Sequence, residues 1–197
     1  FCAGNDLIYT ATGKPMYVPR SGFAGLTSRR HMAKPVIAAV NGFAMGGGLE
    51  TALACHLMVV DEAVQLALSE VRVGLIAGAG GLIRLPRQIP RKIATEMILT
   101  GRRMGAAEAL ERGLANRVVP VGTALEGARA LANEILQGSP TSVRLSLQVM
   151  AETEGVADST DAVLRRTEAI DELITSEDMA EGLAAFAQKR APRWRGR

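Results

Sequence analysis

Three consecutive glycines stand directly ahead of a glutamate in NGFAMGGGLE (residues 41–50), and the residues that follow, LETALAC, have helical composition. Glycine in a helix interior costs roughly 1 kcal/mol relative to alanine, so a glycine run suits only the start of that helix. A helix N-terminus exposes unpaired backbone N–H groups and carries partial positive charge. Where no Cβ intervenes, another backbone or a ligand can approach those groups closely. Residues 46–48, centred on Gly47, are therefore a candidate site for stabilising a developing anion. Glu50 lies three residues beyond Gly47, near one helical turn, so its carboxylate can share that face. The same pattern also suits close strand–helix packing, with Glu50 a solvated or capping acid. The phosphate-loop pattern Gly-x-x-x-x-Gly-Lys-Ser/Thr and the Rossmann glycine spacing are both absent.

The surroundings predict an α/β core. PVIAAV (35–40) is a continuous apolar run of strand length, as in a strand buried on both faces. A helix follows over about 46–55, then a second buried strand, HLMVVD. QLAL and the segment around Glu70 suggest one more short extended piece. Strand–turn–helix–strand order implies a parallel sheet. GLIAGAGGLIRLPRQIP reads as glycine punctuation and a short helix. RKIATEMILTG reads as a helix with Ile93, Met97 and Ile98 on one face and Gly101 as its stop. GAAEALERG reads as a helix ending at Gly113, and LANRVVP as a short strand. From Thr123 onward the pattern becomes helical: TALEGARALANEILQG, SPTSVRLSLQVMAE and DSTDAVLRRTEAIDELIT are amphipathic. A last helix is expected from Thr175, with Thr175 and Asp178 as a capping box and Met179, Leu183 and Phe186 as its stripe. The predicted organisation is a core over 1–122 and a helical region over 123–197.

With 197 residues, 48% of them apolar and 22% charged, the chain can bury one substantial core and is not of disordered type. The net charge of +3 owes much to the terminal QKRAPRWRGR and is not a basic face along the chain. Cys2 and Cys55 form no ligand spacing, and two histidines are too few for a metal cluster. Reduced thiols in a cytoplasmic setting are expected. No apolar run is long enough for a membrane helix, and no signal peptide is visible. The second absence carries little weight, because the chain opens on Phe1 inside a motif and an N-terminal segment is expected before it.

An oxyanion site normally needs two converging donors. CAGND supplies a second glycine turn, with the N–H of Asn5 as the candidate. A second acid, Glu70, lies in ALSEVRVGL, where apolar neighbours favour a perturbed carboxyl. Two carboxyls in one site can divide acid and base roles, although Glu70 taken singly also fits an ion-pair partner.

Together these segments resemble the enoyl-CoA hydratase (crotonase) family. FCAGNDL is similar to its first oxyanion turn, and KPVIAAVNGFAMGGGLETALAC to its second turn and following helix. SEVRVGLIAGAGGLIRLPRQI resembles its second-glutamate segment, and ILTGRRMGAAEALERGLANRVVP its next block. GFAGLT, LTGRRMGAAEAL and SEDMAEGLAAFAQKRAPRWRGR resemble the carnitinyl-CoA dehydratase branch. The resemblance runs through essentially the whole chain.

It implies a ClpP/crotonase-like spiral of ββα repeats with a helical, trimer-forming C-terminal region, assembled as a homotrimer or hexamer. It implies reversible syn-type addition of water to a 2-enoyl-CoA, with Glu50 and Glu70 as the catalytic pair. The N–H groups of Asn5 and Gly47 would hold the thioester oxygen, and Ala3, Asp6 and Leu7 would contribute to substrate binding. Coenzyme A is then part of the substrate, and no separate cofactor, metal, nucleic acid or membrane is expected. An isomerase of the same family, or a non-catalytic RNA-binding paralogue using the Arg-rich tail with Trp194, is the alternative. A related protease would need a Ser-His-Asp triad, and neither His31 nor His56 has an evident nucleophile partner. The sequence departs from the family pattern at His56, where aspartate is usual and a structural histidine is expected. It departs again at Ala77, where proline is common and a looser turn is expected. Strands and a helix that precede the first oxyanion turn in the family are not in this sequence.

Overall fold

The computed structural model of the protein describes residues 1–15, 17–30, 32–164 and 168–197. Two compact units are present. The first comprises Phe1–Arg30 and Val36–Ala130, and the second His31–Pro35 and Leu131–Arg197.

In the first unit, helix α1 (Leu7–Ala11) is followed by a 3₁₀ turn at Phe23–Gly25. Strands β1 (Ile37–Val40) and β2 (Phe43–Met45) lead into helix α2 (Gly47–Leu53). Strands β3 (Leu57–Asp61) and β4 (Gln65–Ala67) lead through a 3₁₀ turn (Glu70–Val73) into helices α3 (Gly81–Gln88) and α4 (Arg91–Thr100). Then come β5 (Met104–Gly105), α5 (Ala106–Glu111), β6 (Arg117–Val119) and α6 (Ala124–Ile135).

Each strand pair sends one member to each of two sheets, ordered β1-β3-β6 and β2-β4-β5. This is the repeat expected of a ββα spiral. The first sheet is wholly parallel, with Val40 opposite Val60 and Val60 opposite Val118. The second is mixed, because β5 runs antiparallel to β4. The core between these layers is small and aliphatic: Val40, Leu49, Leu53, Val60, Leu66, Leu85, Met97 and Met104 are fully or almost fully buried. Met97 is thus buried as its helical spacing predicts, with Ile93 and Ile98 partly buried against the same cluster.

Two strands escape the sequence pattern. β2 and β5, of three and two residues, are too short to carry a periodic signal. The segment around Glu70 is a 3₁₀ turn and not an extended piece, since Arg72 N–H bonds back to Ser69 O. Asp61, 2% exposed, ties three turns together by accepting from the N–H groups of Ala63, Gly42 and Gly122.

The second unit holds α7 (Pro140–Thr153), α8 (Ser159–Leu164), α9 (Glu168–Ile174) and α10 (Glu177–Ala187), with α7 packed on α9 and α10. Within the helix expected over DSTDAVLRRTEAIDELIT, α8 and α9 are helical, and residues 165–167 lie outside the described residues. The predicted capping box is corrected. Ser176 caps α10, its hydroxyl accepting from Met179 N–H, while Asp178 turns inward. Asp178 accepts from the Ser139 hydroxyl at 2.7 Å and from the backbone N–H groups of Thr141, Arg195 and Gly196. These bonds orient α10 so that Asp178 and Ala185 are buried. The predicted stripe therefore faces outward, with Leu183 62% and Phe186 87% exposed.

Candidate active site

The helix that follows the glycine run begins at Gly47, and its close packing explains why no side chain is allowed there. A Cβ on Gly48 would lie 2.1 Å from the carbonyl oxygen of Cys2, and one on Gly47 would lie 2.7 Å from the Phe23 ring. The first-turn segment is pinned in that position. Cys2 N–H bonds to Phe43 O and Met45 N–H to Cys2 O, so Cys2 extends the edge of β2.

This pairing brings the two glycine turns together. Gly4 has φ of +90°, a backbone region that side chains disfavour. A Cβ built on Gly4 would lie 3.1 Å from Gly47 N and 2.7 Å from Met45 O. The next residue is Asn5, so its N–H follows a turn that lies against the start of α2. Neither amide donates to another backbone or side-chain acceptor among the described residues. The Asn5 side chain is engaged elsewhere, its amide donating to Thr10 Oγ1 at 2.7 Å. Asp6 is the N-cap of α1, accepting from Tyr9 N–H. Ala3 and Leu7 are exposed beside it.

Glu50 is 3% exposed on the first turn of α2. Its Oε1 accepts a hydrogen bond of 2.8 Å from Gly81 N–H, the first residue of α3. Glu50 is thus a buried acid, not a solvated one, and it caps the start of α3. Glu70 reaches the same place from the 3₁₀ turn. Its Oε1 lies 3.0 Å from where a Cβ on Gly46 would stand, and its Oε2 is buried with no hydrogen-bond partner. Burial pushes the Glu70 carboxyl above the ordinary carboxylate range; its own backbone N–H opposes this, and the nearby Glu50 carboxylate adds to the rise. The ion-pair alternative for Glu70 finds no support among the described residues, where no cation is paired with it.

Phe23, which stands in GFAGLT at the end of the loop that follows the first glycine turn, covers Gly47 with its ring from the first 3₁₀ turn. One element of the site was not foreseen: Arg84 on α3, whose guanidinium donates to Thr27 O at 2.7 Å and so ties the loop bearing Phe23 to α3. Nothing local singles it out, and only the folded chain brings it near. His56, by contrast, meets its structural expectation: Nδ1 accepts from Val36 N–H at 2.9 Å, and burial lowers its pKa. His31 lies outside the described residues. At the second departure, Gly78 N–H closes a tight turn onto Ile76 O at 2.8 Å around a buried Ala77, so alanine forms a hydrogen-bonded turn here without proline.

A separate groove of about 510 Å³ lies between α3 and α4, lined by Leu82, Ile83, Arg87, Arg91 and Leu99 among others. Glu50 and Glu70 do not line it.

The whole chain, residues 1–197, matches the model of the family described as enoyl-CoA hydratase/isomerase. It is 41% identical over 202 residues to the carnitinyl-CoA dehydratase of Proteus mirabilis, covering all of this chain and 77% of that protein. Among solved structures it is similar to the enoyl-CoA hydratase of Mycobacterium tuberculosis H37Rv, with TM-score 0.92 and 41% identity over 100% of this chain and 77% of that one. It is also similar to a carnitinyl-CoA hydratase from Mycobacterium avium, at TM-score 0.74 and 44% identity, with the same coverage of each chain. A paired-sheet spiral that presents two glutamates at a glycine-rich helix start, matched along its full length, belongs to the enoyl-CoA hydratase/isomerase family.

Proposed function

We propose that this chain is an enoyl-CoA hydratase, a hydro-lyase that adds water reversibly to a 2-enoyl-CoA, with crotonobetainyl-CoA as its preferred substrate. The observation that carries the reading is the convergence of two glutamates, one unpartnered at Oε2, on the helix start that bears the Gly47 amide. As the oxygen of water attacks the β-carbon, the π electrons move through the α-carbon to the thioester oxygen. The Asn5 and Gly47 N–H groups hold that negative charge, and removing one such donor typically costs about 3 kcal/mol of transition-state stabilisation. Glu50, whose Oε1 is held by Gly81 N–H, takes the proton from water. Glu70, which burial keeps protonated to higher pH, delivers a proton to the α-carbon, and the roles reverse in dehydration. The reaction is not a redox step and needs no metal or separate cofactor, since coenzyme A arrives with the acyl group. Its adenine end lies near the backbone of Ala3, with Asp6 and Leu7 close by.

Possession of both glutamates favours hydration over isomerisation, which commonly manages with one acid. The RNA-binding alternative is weakened by the tail itself: Arg190 forms a two-pronged ion pair with Glu181, and Arg197 pairs with Glu177 at 3.0 Å. Trp194 is turned inward, its indole N–H donating to Gln137 O. Among the described residues no helix is long and apolar enough to cross a membrane, and we place the protein in the cytoplasm as a homotrimer or hexamer.

The substrate preference follows relatives named carnitinyl-CoA dehydratase and the loop from Ile8 to Phe23 after the first glycine turn, which holds the aromatic residues Tyr9, Tyr17 and Phe23. Of its rings, Tyr17 is 89% exposed and Tyr9 43% exposed, whereas Phe23 lies on Gly47. An aromatic face attracts a quaternary ammonium by about 0.5–2 kcal/mol. Loss of enoyl-thioester absorbance, followed with crotonobetainyl-CoA and crotonyl-CoA in parallel, tests the reading. Turnover of both with preference for the first is expected. Phe23→Leu should then lose more activity on crotonobetainyl-CoA than on crotonyl-CoA, and Tyr9→Ala and Tyr17→Ala report whether the outer rings share that role. Equal turnover by the intact protein removes the carnitine preference, and a salt-dependent RNA shift without turnover removes the enzyme.

A further inference from the structure

The hydrogen bond from Gly81 to Glu50 has no part in the chemistry above, yet among the described residues it is the one hydrogen bond that holds a Glu50 carboxylate oxygen. We propose that the backbone N–H of Gly81, at the start of α3, is a positioning group for the reaction: it holds the Glu50 carboxyl aimed at one place while Glu70 stays free to carry the second proton. The proposal rests on the reading of Glu50 and Glu70 as the acid–base pair.

The geometry is built for this one contact. The bond is 2.8 Å long and buried, and its acceptor is a carboxylate, which makes it charge-assisted and stronger than a neutral pair. The donor is the first N–H of a helix, which has no partner within the helix and carries the positive end of its dipole. Gly81 is itself packed too closely for any side chain, since a Cβ would lie 2.9 Å from both Ala77 Cβ and Leu68 Cδ1. Arg84, one turn later, donates to Ala79 O and Thr27 O, so the start of α3 is anchored on its far side as well. The N–H therefore cannot drift from Glu50 without breaking packing on α3.

Few other charges compete at this position. The elements packed against α2 are β2, the 3₁₀ turn at Phe23–Gly25 and α3. The first two have no ionisable side chain, and α3 has Arg84 and Arg87. Arg84 is committed to carbonyls. Glu70 is the remaining neighbour, and it does not donate to Glu50 Oε1, which Gly81 N–H holds. Of the two carboxyls in the site, Glu50 takes a donor from a neighbouring helix whereas the bond to Glu70 comes from its own N–H, and such a difference in surroundings lets one act as base and the other as acid.

The test separates the N–H from the packing around it. Gly81→Ala keeps the donor and adds the crowding; Gly81→Pro adds crowding and removes the donor. Both are measured for the pH dependence of kcat/KM on crotonobetainyl-CoA or crotonyl-CoA, whichever turns over. The expected result is an acid limb at its wild-type position in Gly81→Ala and displaced upward by about one pH unit or more in Gly81→Pro, the shift that loss of a charge-assisted bond implies. A merely structural role would lower rate or stability in both without moving the limb. Should Gly81→Pro fail to fold, the intact protein answers by NMR: the Gly81 amide proton should titrate with the midpoint of the acid limb and lose that titration in Glu50→Gln. An acid limb unmoved in Gly81→Pro, or a Gly81 amide that ignores pH across that limb, overturns the proposal. Full activity in Glu50→Gln, with the Gly81 amide still titrating in the wild type, would instead remove Glu50 from the mechanism while leaving the contact in place.

Discussion

At the scale of single residues, the site depends on two carboxyls made unequal by their surroundings. Glu50 accepts a fixed backbone donor, whereas the buried Glu70 Oε2 has none. Glu50→Gln and Glu70→Gln should each lower hydration by at least ~100-fold, as positioned acid–base groups do, with little change in CoA binding. Steady-state rates beside calorimetric CoA titration check this, and near-normal turnover in either variant removes that residue from the mechanism. Glu70 also carries a stability signature. Its folded pKa is raised, chiefly by burial, so its contribution favours folding below the unfolded carboxyl value and is lost as pH rises through the folded one. Relative to wild type, Glu70→Gln should therefore gain stability between acid and neutral pH. Urea midpoints at pH 4 and pH 8, chosen to bracket roughly the carboxylate range and neutrality, should show a larger relative gain at the higher value.

At the scale of elements, two helices are held by contacts that tolerate no substitution. The start of α2 touches Cys2 O so closely that Gly48→Ala must displace backbone, not a flexible side-chain tip. A loss of about 1–3 kcal/mol or more in urea unfolding is expected, as for an overpacked core. A neutral Gly48→Ala would mean that the Cys2 strand is not fixed there. In the second unit, α10 is oriented by Asp178. Burial alone would raise its carboxyl, but Arg195 N–H, the Ser139 hydroxyl and the Gly196 and Thr141 N–H groups together hold it well below the ordinary range. A depressed carboxyl stabilises above its unfolded pKa of about 3.9, and that contribution is lost as pH falls toward the folded value. Asp178→Asn should thus cost roughly 2–4 kcal/mol near neutrality, within the range for a broken buried network. The gap to wild type should narrow steadily below about pH 4. Thermal unfolding across that range checks it, and a pH-independent gap would contradict the network's role.

At the scale of the whole molecule, the helices of the second unit leave apolar side chains uncovered. Leu136, Met150, Leu183 and Phe186 are 70%, 67%, 62% and 87% exposed. Isolated exposed leucines are ordinary, but large apolar patches mark association sites. Sedimentation velocity at micromolar concentration should show a trimer or a hexamer, and Phe186→Asp should shift material toward smaller species. A stable wild-type monomer would remove the assembly from the proposed function.

Much of the fold was legible because it repeats short-range physics. HLMVVD is a continuous apolar run because β3 is buried on both faces, whereas β1 alternates between buried Ala38 and Val40 and partly exposed Ile37 and Ala39, and Gly101 stops α4 where the sequence places a stop. The glycine run, Glu50, Asn5 and Glu70 could be singled out because bare N–H donors and buried acids need those residue types in any fold. What the sequence left open was settled by distance across the chain. β2 and β5 exist because partners at Gln65–Ala67 complete them, not through any period of their own. Thr175 and Asp178 satisfy a capping pattern, yet donors from Ser139, Thr141, Arg195 and Gly196 outbid it and draw Asp178 inside. The bond from Gly81 to Glu50 spans 31 positions. No local pattern encodes it, because a charge-assisted bond depends on where two helix starts meet, and only the folded chain brings them to 2.8 Å.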